Sequence, residues 1–190
     1  MFKNLLSASL VATLGMSVIA SASAADGKIT FTGTISDTTC TVTGGSGTNG
    51  GTSDFTVALP TVQVDALSAA DKVAGATPFE VKLGGSTSTG CKDAKVASLY
   101  FEPTSAPINA ATGRLKNQSS TSAATNVEVE LLNKANTAIN LATGANAAGS
   151  EETITGSTAT LKYTAQYHAT GGKSTAGGVS TYVNYSVVYK

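Results

Sequence analysis

The chain has 190 residues, and only 13% of them are charged; twelve basic and twelve acidic side chains cancel to a formal net charge of zero. That balance gives no basic patch to hold nucleic acid and no acidic tail. Gly, Ser, Thr, Ala and Asn fill the places that charges take elsewhere, which suits close packing of the protein against copies of itself.

The first residues, Met1-Phe2-Lys3-Asn4, carry one positive charge. An apolar stretch follows through Leu5, Leu6, Leu10, Val11, Leu14, Val18 and Ile19, and it ends at Ala22-Ser23-Ala24. This is the pattern of a secretory signal peptide over residues 1–24, cut before Ala25. A membrane anchor is the competing reading, opposed by Ser7, Ser9, Thr13, Gly15 and Ser17, which interrupt the stretch. Residues 25–190 are long enough for one domain with a substantial core.

Export carries Cys40 and Cys91 into an oxidising compartment, where two cysteines are expected to be bonded. Closing so long a loop would stabilise the fold by about 4 kcal/mol in the chain-entropy model. A metal site would need further ligands; His168 is the single histidine, and there is no Cys-x-x-Cys. No metal, cofactor or catalytic residue is expected.

Period-2 patterning runs through most of the chain after the leader. Ile29, Phe31, Gly33 and Ile35 alternate with Lys28, Thr30, Thr32 and Thr34. Gly44 to Thr52 reads as a flexible Gly/Ser/Thr loop. Phe55, Val57 and Leu59 alternate up to Pro60, and the Ala-rich stretch from Asp65 to Lys72 suits one short helical turn. Phe79, Val81 and Leu83 precede a second Gly/Ser/Thr loop that leads to Cys91. Val96 to Phe101 is a compact apolar run. Val127, Val129 and Leu131 alternate with Glu128 and Glu130, which are expected on a solvent face. Leu161, Tyr163, Ala165 and Tyr167 form another strand, and Val183, Tyr185, Val187 and Tyr189 close the chain. Seven to nine short strands between polar turns point to an all-β antiparallel sandwich.

The two ends of this pattern are unusual. The first alternating segment contains Gly27 and Gly33, and glycine weakens a strand unless another backbone passes close by. The last continues to the penultimate residue, where a bare apolar strand is an aggregation hazard. Either these termini lack a partner within the chain, or each pairs with an internal strand; periodicity leaves both open.

The run Gly27-x-Ile29-x-Phe31-x-Gly33-x-Ile35 followed by Cys40 resembles the N-terminal extension of chaperone–usher fimbrial pilins, close to the type 1 major subunits. Gly75-Ala76-Thr77-Pro78-Phe79 is similar to that family's segment ahead of its second cysteine. Tyr163-x-Ala165-x-Tyr167-x-Ala169-Thr170-Gly171 is similar to its penultimate strand, and Tyr185-Ser186-Val187-Val188-Tyr189-Lys190 to its last. The resemblance covers essentially all of 25–190, although Gly84–Gly90 and Gly44–Ser53 are longer than the family pattern.

The resemblance implies an incomplete immunoglobulin-like sandwich, residues 37–190, that a neighbour's strand completes. It implies that residues 25–36 form the donor extension, with Ile29, Phe31 and Ile35 entering a groove and Gly33 crossing a shallow point of it. Val183, Tyr185, Val187 and Tyr189 would form one wall of the acceptor groove. The implied partners are further copies of the chain in a head-to-tail polymer, a periplasmic chaperone, an outer-membrane usher, and a tip adhesin or minor subunits. The implied location is an extracellular fimbrium reached through the periplasm.

Other classes fit less well. As a general base His168 has no Ser, Cys or acid motif around it, and it is expected to be solvated. Glu151 and Glu152 read as a solvated turn. A carbohydrate-binding sandwich would use exposed aromatic side chains, yet Trp is absent and the tyrosines keep strand periodicity. A major shaft subunit is therefore expected, with a minor or adaptor subunit as the alternative.

Overall fold

The computed structural model describes residues 28–85, 88–104 and 107–190. The expected signal peptide, 1–24, and residues 25–27 of the expected donor extension lie outside the described residues. The chain divides at Ile35/Ser36 into two units.

In the first unit, residues 28–35 form no strand. Ile29, Phe31 and Ile35 are 81%, 89% and 101% exposed. The alternation is present in the sequence, but alternation makes a strand only where a partner supplies the ladder hydrogen bonds.

The second unit, 36–190, is a two-sheet sandwich. The strands are β1 (Val42–Gly44), β2 (Val73–Gly84), β3 (Val96–Phe101), β4 (Leu115–Lys116), β5 (Val127–Leu132), β6 (Glu152–Thr153), β7 (Thr158–Ala169) and β8 (Tyr185–Tyr189). One sheet has the order β1-β2-β7-β5-β4 and the other β6-β3-β8; every pairing between these strands is antiparallel. A 3-10 turn, Val64–Leu67, falls at the start of the Ala-rich stretch. β2 and β7 pair along nearly their whole lengths, with an irregularity between Ala74 and Thr77. There Gly75 takes φ +69°, which strains any other residue, and a Cβ would crowd the Tyr167 ring at 3.0 Å.

The inward positions of both sheets make one core. Val81, Leu83, Leu99 and Leu161 are almost fully buried. Tyr163 sits at its centre, stacked on Phe79 and edge-on to Phe101, with ring centroids 5.6 Å apart in each case. Burial pushes its phenol up to about 12 against the hydrogen bond it accepts from Leu99 N. An unfolded phenol ionises near 10, so this contribution is complete below pH 10 and is lost as pH rises towards 12. The expected loss is about 3 kcal/mol. Denaturant melts at pH 9 and pH 12 measure it, and Tyr163→Phe should shrink the difference between them.

Cys40 and Cys91 are bonded, with Cα atoms 4.4 Å apart. The bond ties the entry of β1 to the segment before β3. Intact-mass measurement should find the chain two hydrogens lighter than the dithiol. Replacing either cysteine should lower the yield of folded subunit, by about 2–5 kcal/mol of stability.

Three expectations are corrected. Glu128 and Glu130 do not face solvent: they are 5% and 6% exposed. The loop ahead of β4 covers them: Asn109 Nδ2 and Thr112 Oγ1 donate to Glu128 at 2.6 and 2.9 Å, and Arg114 Nε donates to Glu130 at 3.1 Å. Burial raises the Glu130 carboxyl, but hydrogen bonds from Gln166 and Arg114, with the His168 imidazole 3.3 Å away, outweigh it and hold the group below its ordinary value. His168 is not solvated either. It is buried near the end of β7, with Nδ1 3.3 Å from Glu130 and Nε2 3.3 Å from Asp71. Gly44–Thr52 is pinned rather than loose: Gly44 N bonds Gly51 O and Gly45 N bonds Glu80 O, at 3.0 and 2.8 Å.

Candidate functional site

The strand β8 is the edge of its sheet. Val96 and Lys190 exchange both main-chain hydrogen bonds, at 3.1 and 2.8 Å. Bonded and non-bonded pairs alternate along an antiparallel ladder. Tyr185, Val187 and Tyr189 are therefore in non-bonded register with β3, and their N–H and C=O groups turn outward. The chain leading into β8 keeps the same alternation: Val179, Thr181 and Val183 are half-buried, while Ser180, Tyr182 and Asn184 are exposed.

A second edge faces this one. Phe55, Val57 and Leu59 are half-buried and alternate with exposed Asp54, Thr56 and Ala58. The segment is not a ladder strand, since its one main-chain partner on the outer side is Asn49, whose N bonds Thr56 O at 3.0 Å. Among the described residues, the main-chain groups of Phe55, Val57 and Leu59 have no hydrogen-bond partner.

Between the two edges lies a groove of about 620 Å³. Its lips are Ser53–Leu59 and Val179–Tyr185. Its floor is the sandwich core itself, through Phe79, Leu99, Phe101, Val129, Leu131 and Ala165. At one end the lips touch: the Tyr185 hydroxyl donates to Ser53 O at 2.5 Å, and its ring centroid lies 6.0 Å from that of Phe55. Burial, with Asp54 nearby, raises the Tyr185 phenol above its ordinary value. Towards the other end, Val62 and Val179 pack on a smaller apolar cluster with Leu67, Ala124 and Val127, beside a cavity of about 350 Å³. The lips thus run antiparallel to each other, so an extended segment between them would be parallel to one and antiparallel to the other.

The chemistry of this site is that of an unfinished sheet, with two rows of unpaired peptide groups above an apolar floor. Such an edge takes an extended strand, held by main-chain hydrogen bonds and sorted by alternate side chains. Among the described residues no group of His, Cys, Asp and Glu is arranged to hold a metal ion.

Two of the four expected wall residues, Val183 and Tyr185, line the groove. Val187 and Tyr189 continue the same face beyond it, half-buried against the core; the Tyr189 hydroxyl accepts a hydrogen bond from Cys40 N at 3.0 Å. Ile29, Phe31, Gly33 and Ile35 stand exposed in the other unit, and a Cβ on Gly33 would meet nothing within 4 Å. The opposite lip, Ser53–Leu59, was legible as an alternating segment but carried no signal that it belonged to the site.

The model of the family described as type-1 fimbrial protein A matches residues 59–190. The F17 fimbrial protein of Escherichia coli is 43% identical over 183 residues, covering 93% of this chain and 96% of its own length. The major fimbrial subunit SMF-1 of Stenotrophomonas maltophilia is 43% identical over 173 residues, covering 88% and 95%. A subunit chain from a chaperone–usher pilus structure shares the fold, with a TM-score of 0.52 at 22% identity, over 87% of this chain and 96% of that one. On these sequence matches, the chain belongs to the type-1 fimbrial protein family.

Proposed function

We propose that this protein is a structural shaft subunit of a surface fimbria, and that residues 25–36 of one copy fill the groove between Ser53–Leu59 and Val179–Tyr185 of the next. The observation that carries this reading is the pair of unpaired edges above an apolar floor, in a chain that also bears an exposed segment of matching pattern. Asp26–Ser36 spans roughly 36 Å when extended, more than enough to run the length of either lip. Burying Ile29, Phe31 and Ile35 would contribute about 1.5–3 kcal/mol each.

Donor and acceptor are parts of one polypeptide, so the contact is head-to-tail and does not close; repeated, it makes a filament. A groove with such a floor needs cover before assembly. A periplasmic chaperone that lends a strand, an outer-membrane usher that exchanges it, and a tip adhesin or minor subunits at the fibre end complete the proposed pathway to the cell surface. Electron microscopy of the purified mature chain tests the role: long uniform fibres are expected, and monomers or closed rings would contradict it.

A further inference from the structure

Each lip of the groove is held from outside by an asparagine. On one side, Asn49 pairs with Thr56 as a strand residue would: its N–H donates to Thr56 O at 3.0 Å, and its side-chain Oδ1 accepts from Thr56 N at 2.7 Å. On the other side, Asn117 Oδ1 accepts from Ser180 N at 3.0 Å, and the neighbouring Gln118 N donates to Ser180 O at 2.7 Å. Asn117 uses the rest of its amide as well. Nδ2 donates to Gly178 O at 2.8 Å and Ala124 O at 2.9 Å, and Oδ1 accepts a second bond from Ser119 N at 3.0 Å. Two donors and two acceptor sites are the whole inventory of this side chain.

The consequence follows from strand alternation. Thr56 and Ser180 are the residues whose peptide groups point out of the groove; their neighbours Phe55, Val57, Val179 and Thr181 point the other way. An amide that satisfies the outward groups leaves the inward ones bare, in extended geometry and in register. A side-chain amide does this without adding another strand, which would itself be an edge.

We propose that Asn49 and Asn117 are positioning residues of the groove, presetting its two lips to accept an incoming strand. The inference rests on the strand-donation reading and adds to it which residues set the rate of uptake. They act on the empty groove. Once a strand is inserted, its own main chain holds both lips from the inner edge.

The test uses the mature chain at low concentration with an excess of a fluorescent peptide of residues 26–36, followed by anisotropy. Asn49→Ala should slow uptake about tenfold, the effect of one lost hydrogen bond to a main-chain group, and Asn117→Ala, which removes four such bonds, at least as much. Asn49→Asp keeps the acceptor oxygen and should match wild type. Asn117→Asp loses both donors and should be slow. Melting temperatures of the peptide-filled forms should stay close to wild type throughout. Wild-type uptake rates in Asn49→Ala and Asn117→Ala would overturn the inference alone, as would filled forms destabilised in proportion to the slowing, because that marks an ordinary structural role. A wild-type chain that ignores the peptide would remove the strand-donation reading and this inference with it.

Discussion

Deleting residues 25–36 is expected to abolish long filaments while leaving a folded subunit. The core, the disulfide and both lips of the groove lie within residues 37–190, and of residues 28–36 only Ser36 has a described hydrogen bond to the sandwich, its Oγ accepting from Thr38 N at 3.1 Å. The truncated chain keeps an acceptor groove and has no strand to offer. It should still occupy the end of a fibre made by the full chain, so trace amounts mixed into assembly reactions should shorten fibres. Electron microscopy and sedimentation read both effects. Normal fibres from the truncated chain would mean that the polymer is built on another surface.

The second large effect is expected from one side chain. A period of two places Phe31 on the same face as Ile29 and Ile35, and Thr30 and Thr32 on the other. Phe31→Asp brings a charge towards a floor of Phe79, Leu99 and Phe101 with no partner for it. The penalty is several kcal/mol, or the strand stays out. Fibre yield should collapse, and any fibres that form should dissociate in hot detergent. Thr30→Asp should assemble nearly as wild type. Gly33→Leu is informative for a different reason: nothing lies within 4 Å of a Cβ there in the free segment, so a defect in this variant would arise only in the filled groove. Equal effects of Thr30→Asp and Phe31→Asp would contradict the register.

Much of this architecture could be read before any coordinates. The alternation of Phe79, Val81 and Leu83, of Leu161, Tyr163 and Ala165, and of Tyr185, Val187 and Tyr189 marks strands because one face of each meets the core. The polar face was harder. Glu128 and Glu130 alternate with apolar residues as solvent-facing residues do, yet a loop folds over them, and no local pattern announces that Arg114 and Asn109 will arrive there. His168 was misplaced for the same reason, since its burial depends on Glu130 from a neighbouring strand. The groove was half visible. Its β8 wall ends the chain in an alternating run, whereas its other wall, Phe55 to Leu59, looks like any short strand. That this segment lacks a ladder partner is a property of topology, and so are the roles of Asn49 and Asn117, which sit in loops of ordinary turn composition.

The central claim is that the groove of one copy holds the N-terminal segment of another. A photo-crosslinking residue at Phe31, in fibres assembled from a mixture of isotopically light and heavy subunits, tests it directly. Mass spectrometry of the digested fibre should find position 31 joined to peptides from Ser53–Leu59 or Val179–Tyr185, or to the floor beneath them, in mixed light–heavy pairs. Cross-links confined to a single isotope would show the segment filling its own subunit's groove, and cross-links to any other surface would place it elsewhere; either result contradicts strand donation between neighbours.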